Sequence, residues 1–568
     1  MVKKYAYPII AVLAAAAIAL CVLYLTGNAS QNGKIAGLEQ EKAALEENLQ
    51  AARDYADGLV KREAGDPDGA IAAFLKAGGY EDAATQANAT RYQAGVEWYK
   101  GEGTEDSYKE ALAYFQPAAD EGYAGAQYYL GRMYETGKGV EQSYDKAAEY
   151  YRKAAEQGED RAQNYMGKLY QLGYGVEQSD EKAAEYYRLA ADRGNEQAQT
   201  NLGILYEIGK GVEKSHEKAA AYYQLAADQG FAPAQYNLGF LYQNGWGVEQ
   251  SDRKATEYFR LAADQAYAKA QASLGSAYWN GQGVPQSYEK AVEYYQLAAD
   301  QENESAINML GYAYELGKGV TQSDQKAAEY YQRGADLGDP KSQFDLAVLY
   351  ERGQGVEQSY EKAAEYYRMA GDQGLGSALV SLGRLYAEGK GVEQSGETAI
   401  AYYQMGVDRG DPSGLDALAY AYYDGVITEQ SYEKAAEYFR KLADRGDAGG
   451  YFMLGVMNEF GYGMEKSLEQ AKACYEQAAE MGHGLSQQTL GNWYFNGNIV
   501  EKSYEKAAEY YFLASQDGQW YSAYQLGMMH EYGYGVAKST EKALEYYRLA
   551  VSLGYSKAET DVARLSGD

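Results

Sequence analysis

The chain has 568 residues, 46% of them hydrophobic, which excludes a largely disordered polypeptide. A formal charge of −30 leaves no excess of Lys and Arg to hold a phosphate backbone, so a nucleic-acid partner is not expected. The two cysteines, Cys21 and Cys474, exclude a disulfide framework and any Cys-based zinc site.

In chain order, Lys3 and Lys4 precede an uncharged run from Pro8 to Leu25, 18 residues long. That length is at the short end for a membrane span and somewhat long for a signal-peptide core. Positive charge before it predicts a cytoplasmic N-terminus, with the rest of the chain translocated. Residues 1–30 therefore read as a signal anchor of a single-pass cell-membrane protein. Gly27-Asn28-Ala29 offers a cleavage site, and its use would make the protein secreted.

Residues 31–60 read as a spacer helix. Ile35, Leu38, Lys42, Leu45, Leu49, Ala52, Ala56 and Leu59 follow heptad spacing, an alternative reading as a short coiled coil with weak self-association through 35–59. Residues 61–90 read as a capping helical pair broken at Gly65-Asp66-Pro67 and Gly78-Gly79.

From residue 91 to 568 one unit recurs. Its marker serine stands at 107, 143, 179, 215, 251, 287, 323, 359, 395, 431, 467, 503 and 539, always 36 residues apart. Each serine has the sequence of an N-cap, with Glu or Asp usually two residues on, favourable beside the positive helix start. Glycine then returns at position +15 from the serine, as at Gly158, Gly338 and Gly554, marking the C-terminal stop of this second helix, helix B. Helix A precedes the serine, as in "AQYYLGRMYETG" from Ala126 to Gly137.

Position −12 from the serine, inside helix A, holds eleven glycines plus Ala347 and Ala419. A glycine there costs about 1 kcal/mol against alanine, so its recurrence implies a neighbour too close for a larger side chain. Positions −9, +1, +7 and +8 carry 38 of the 62 tyrosines, which reads as an inter-repeat core of amphipathic rings. The pattern predicts an all-α solenoid of stacked antiparallel helix pairs in 36-residue repeats, whose core exists only between neighbours.

No catalytic, cofactor or metal constellation stands out. Gly203 to Gly211, "GILYEIGKG", has the wrong spacing and ending for a Walker loop and follows a helix. His216, His483 and His530 lie in separate repeats and read as variation within their columns. The loops "DGVITEQS" and "NGNIVEKS" put Ile427 and Ile499 where the second loop glycine belongs. Cys474, Asn458 and His530 each replace a repeat tyrosine.

Positions −15, −11 and −8 share one stripe of helix A and vary from unit to unit. The −8 column is mostly Glu or Gln, such as Glu135, Gln171 and Glu315, and so reads as exposed. Against it Trp279, Tyr423 and Phe495 stand out, with Phe240, Tyr312, Phe344, Tyr420 and Phe452 in the adjoining columns. These eight are candidates for contacting a protein or a glycan on a concave face. Burial of the less polar columns between helices is the other reading.

"AQYNLGFLYQNGWGV" (Ala234 to Val248) and "EKAAEYYRLAADRG" (Glu181 to Gly194) resemble the two halves of the Sel1-like repeat, a relative of the tetratricopeptide repeat. The resemblance covers about 85% of the chain and implies a right-handed α-solenoid that acts as a non-catalytic adaptor, binding a partner protein along the superhelix. It also implies, as an alternative, a glycan-binding component of a cell-envelope or exopolysaccharide apparatus. Some secreted members pin each helix pair with a disulfide, which this chain lacks. The family has no shared catalytic residues, so none transfers here.

Overall fold

The computed structural model describes residues 32–567; the anchor read at Pro8 to Leu25, Cys21 and Gly27 to Ala29 lie outside them. Among the described residues all regular structure is helical, and no helix is long and apolar enough to cross a membrane. The chain divides into two compact units, with the break after Gln286.

The first unit opens with α1 (Asn32–Glu63), α2 (Pro67–Ala77) and α3 (Ala83–Lys100). Asp66 caps α2 by accepting from the Gly69 N–H, with Pro67 pre-set at the first helical position. Tyr55 of α1 meets the buried Phe74 of α2 edge-on at 5.6 Å, and Leu59 joins the same small core. The C-terminal end of the heptad seam is thus spent on α2, which removes it from any self-association. The 90/91 boundary falls inside α3, which runs on as helix A of the first repeat.

Antiparallel A and B helices alternate from there, through α13 (Ala268–Asn280) in the first unit and from α14 (Tyr288–Ala299) to α29 (Ala558–Ser566) in the second. Successive helices within each unit pack on one another. The serine caps are as expected at twelve of thirteen positions: Ser359 Oγ, for instance, accepts from the Lys362 N–H at 3.3 Å. Ser107 is the exception. Thr104 caps that helix one turn earlier, and Ser107 is buried, its hydroxyl donating to the Thr104 carbonyl.

Helix B ends in a Schellman turn, with Gly158 at φ 85° and the Glu159 N–H reaching back to the Ala154 carbonyl. Ala266 and Glu302 hold the same left-handed turn without glycine, both at φ 60°.

The −12 column is explained by the +8 ring. A Cβ on Gly131 or Gly311 would lie 2.5 Å from the ring of Tyr151 or Tyr331, so the neighbour that excludes a larger residue is a core tyrosine of the same repeat. The −9 and +7 rings form a second set of contacts, as in Tyr134 with Tyr150 at 5.7 Å and 5° and Tyr422 with Tyr438 at 5.9 Å and 2°. His530 keeps this geometry against Tyr546, at 5.5 Å and 5°. Asn458 and Cys474 occupy the two halves of one such pair, so that stack is lost from both sides at once.

Neighbouring repeats are latched at the loops. Position +1 of one repeat receives position −5 of the next, as a stacked ring (Tyr432 with Tyr462, 4.8 Å) or a cation over a ring (Lys318 over Tyr288, 4.9 Å). The second loop glycine lies against the backbone at this joint. Where Ile427 replaces it, Gly396 stands at the facing +1 position, and no Cβ there would clear the Ile427 carbonyl.

Candidate functional site

Helix A buries three sides: small and aliphatic residues at positions −17, −13 and −10, the −12 glycine, and a glutamine at −16. That glutamine donates to the last turn of the preceding helix B, as Gln343 does to the Ala335 carbonyl, and so ties repeats together. The remaining side carries positions −15, −14, −11 and −8, and it is where repeats differ.

The −8 acids are not free surface charges. Glu135, Glu207, Glu315, Glu351, Glu459 and Glu531 each accept a hydrogen bond from the hydroxyl of the buried +8 tyrosine of their own repeat, at 2.6 to 2.9 Å. Gln171 does the same for Tyr187. This corrects the reading of the column as exposed: Glu135 retains only 11% of its side-chain exposure. Burial, with the nearby carboxylate, pushes the Tyr151 hydroxyl well above its usual range. Where the +8 residue is Phe115 or Phe439, the −8 acceptor has gone too, leaving Tyr99 and Tyr423; Phe259 is the case in which an acceptor, Gln243, remains. Where Phe495 takes the −8 place, Tyr511 donates to Asn492 instead, one turn back at 2.7 Å.

Several acids also pair with the −11 cation of the next repeat: Lys168 with Glu135 at 3.0 Å, Arg384 with Glu351 at 2.7 Å, and Arg564 with Glu531 at 2.7 Å. In the first unit the cations lie over rings as well. Arg132, bonded to the Tyr165 hydroxyl, has its guanidinium 4.6 Å from that ring centroid and Glu135 beside it. Arg161 lies 4.5 Å from the Tyr128 ring and pairs with Glu159 at 2.5 Å. Both are guanidinium nests, a ring plus a carboxylate.

The second unit has the acids and rings of such nests with fewer cations. Glu315, Asp345, Asp416 and Glu459 make no ion pair among the described residues. Asn308 donates to Asp345 at 2.8 Å, yet burial, with Glu315 and Asp339 nearby, pushes the Asp345 carboxyl up to about 6. Asp416 is raised by burial and then by Asp447, and both acids act on Tyr420.

The eight candidate aromatics separate on this face. Phe240, Tyr312 and Tyr420 are exposed, at 37%, 41% and 42%. Trp279 is buried, at 9%. The other four are half-buried in ring contacts: Phe344 with Tyr367 at 5.5 Å, Phe452 with His483 at 4.8 Å, Phe495 with Tyr504 at 5.2 Å, and Tyr423 with Tyr432 at 5.4 Å. Both readings of the stripe thus hold, for different members. Sequence reasoning missed Asp345, Asp416, Arg132 and Arg161, which look like ordinary surface charges until the neighbouring repeat is in place.

The histidines have structural surroundings. His483 caps a helix by accepting from the Ser486 N–H, and burial lowers its basicity. His216 lies 5.3 Å from Trp246 in a loop latch. Among the described residues no group of three or more His, Cys, Asp or Glu could hold a metal ion.

Thirteen consecutive segments, from 91–123 to 520–555, match the Sel1 repeat. The chain belongs to the Sel1 repeat family. It is similar to the crystal structure of c5321, a protective antigen of uropathogenic Escherichia coli strains displaying the same repeat fold. Identity is 31% over 74% of this chain and 90% of that one, with a TM-score of 0.50. A Sel1 repeat protein from Oxalobacter formigenes is 28% identical over 43% of this chain and 96% of its own, with a TM-score of 0.40. No curated protein matches the chain. Sel1 repeat proteins generally mediate protein–protein interaction, and the fold described above is theirs.

Proposed function

We propose that this Sel1 repeat protein is a non-catalytic scaffold, held at the cell membrane by residues 8–25, that binds a partner protein outside the cytoplasm along the helix A face. One observation carries the binding part: the columns that build the core stay nearly constant over thirteen repeats, while the remaining side of helix A varies and, among partly packed residues, exposes Phe240, Tyr312 and Tyr420. A surface selected only for solubility has no need of exposed rings at those positions.

Pull-down from detergent-solubilised membranes is expected to recover a discrete partner, and Phe240→Ala/Tyr312→Ala/Tyr420→Ala to lose it without lowering the thermal midpoint by more than a few degrees. Recovery unchanged by the triple variant contradicts the assigned face. A glycan array supplies the alternative outcome, since sugar binding abolished by the same variant would make the face a carbohydrate platform. For the anchor, carbonate extraction should leave the full-length chain in the membrane pellet; a soluble product beginning near Ser30 would show a cleaved signal.

A further inference from the structure

We infer that in the second unit the helix A face receives Lys or Arg side chains of the partner, carried on a segment that is otherwise apolar. The inference rests on the scaffold reading above and adds the partner's chemistry to it.

The first unit shows what this face accepts. Arg132 and Arg161 each lie over a tyrosine ring with a carboxylate alongside, so the chain itself fills ring-and-acid nests with guanidinium groups. Two places on the second unit repeat the ring and the acid. In one, Glu315, which accepts from the Tyr331 hydroxyl, and Asp345 act together on Tyr331 beside the exposed Tyr312, and Asp345 accepts from the neutral Asn308 and forms no ion pair among the described residues. In the other, Asp416 and Tyr420 stand one turn apart on the helix Ser413–Asp424, with Asp447 close enough to raise Asp416.

Lys341, one turn from Asp345, lowers its carboxyl slightly but forms no ion pair with it. Crowded carboxylates without a cation are an unfavourable arrangement, and an incoming ammonium or guanidinium relieves it. Between the two places the stripe presents the half-buried, apolar Val348 and Val380 beside the Arg384–Glu351 pair, whose charges already answer each other, so apolar residues suit the stretch between the partner's cations.

The test uses the full chain and three synthetic peptides of equal length, alternating Lys–Leu, Lys–Ser and Glu–Leu, with binding followed by fluorescence anisotropy at physiological ionic strength. Lys–Leu should bind. Glu315→Gln/Asp345→Asn/Asp416→Asn should weaken it by at least about tenfold, whereas Glu329→Gln/Glu365→Gln/Glu509→Gln, the same charge change on exposed helix B positions, should alter it by less than about twofold. The site changes are ones the repeat tolerates, since Gln171 serves Tyr187 at position −8 and Asn201 occupies position −14 in the first unit.

Equal losses in the two triple variants would reduce the effect to general attraction by an acidic chain and overturn the inference. So would Lys–Ser binding as tightly as Lys–Leu, or Glu–Leu binding at all. A membrane partner that the site variant still captures would refute the cation chemistry while leaving the scaffold reading intact; failure to capture any partner would count against that reading instead.

Discussion

The helix A faces of the two units are made from the same columns and differ in how many of their acids are paired. In the first, Arg132, Arg161 and Lys168 pair with the acids beside them, Glu207 alone of the −8 acids lacking a cation among the described residues, and the Tyr128 and Tyr165 rings are covered by Arg161 and Arg132. In the second, Arg384 and Arg564 serve Glu351 and Glu531, while Glu315, Asp345, Asp416 and Glu459 go without, beside exposed rings. The cores beneath show no such contrast, since Tyr187 and Tyr331 are both almost fully buried and hydrogen-bonded to position −8. The difference separates what holds the solenoid together from what makes one stretch of it distinct.

The contrast can be broken first at the core, where both units should respond alike. Tyr187→Ala and Tyr331→Ala should each cost about 3–5 kcal/mol in chemical denaturation, through lost burial and the cavity left against the −12 glycine. Tyr331→Phe removes only the hydroxyl bonded to Glu315 and should cost about 1–2 kcal/mol. A large inequality between the two alanine variants would mean that the units do not share one packing rule.

Next comes the face, where the units should differ in sign. Arg132→Met leaves Glu135 with less compensation and should cost about 1–3 kcal/mol in the first unit. Asp345→Asn in the second should instead raise the thermal midpoint at pH 7 and change it little at about pH 3, below the unfolded carboxyl's range. The sign follows from the raised carboxyl: the folded chain holds this proton more tightly than the unfolded one, so the group favours folding at low pH and loses that contribution as pH rises through about 6. A bound cation favours the ionised form. Affinity for a basic peptide should therefore fall as pH drops below about 6, in a setting defined by Asn308, Glu315, Asp339 and Lys341, and Asp345→Asn should flatten that dependence. An unchanged pH profile in the variant would remove Asp345 from the account.

The smallest effect belongs to the helix B stops. Ala266→Gly in the first unit and Glu302→Gly in the second relieve a left-handed backbone and should each stabilise by about 0.5–1 kcal/mol, read as a shift in denaturant midpoint.

Most of the fold was legible because its determinants are local and repeated thirteen times. A capping serine, a stop glycine and a −12 glycine each act within a turn or two, so one strand of sequence carries them. Ser107 shows the limit: Thr104, one turn upstream, caps the helix in its place. The −8 column was misread because a glutamate on a single helix looks solvated, and its partner lies sixteen residues on, across the helix pair. Its signal was nonetheless present, since acid at −8 goes with hydroxyl at +8, while Tyr99 with Phe115 and Tyr423 with Phe439 lose both together. The nests were hidden for a further reason: Arg132 reaches a ring 33 residues away, in the next repeat, and no pattern within one unit announces it.

The central claim, that the variable side of helix A in the second unit is where a partner sits, is tested most directly by site-specific photo-crosslinking in intact cells. A benzophenone side chain replacing Tyr420 is expected to give one discrete crosslinked species, lost in Asp345→Asn/Asp416→Asn, while the same group replacing the exposed Leu297 on helix B gives none. Crosslinks from Leu297 and silence from Tyr420 would place the partner on the other side of the solenoid and contradict the account.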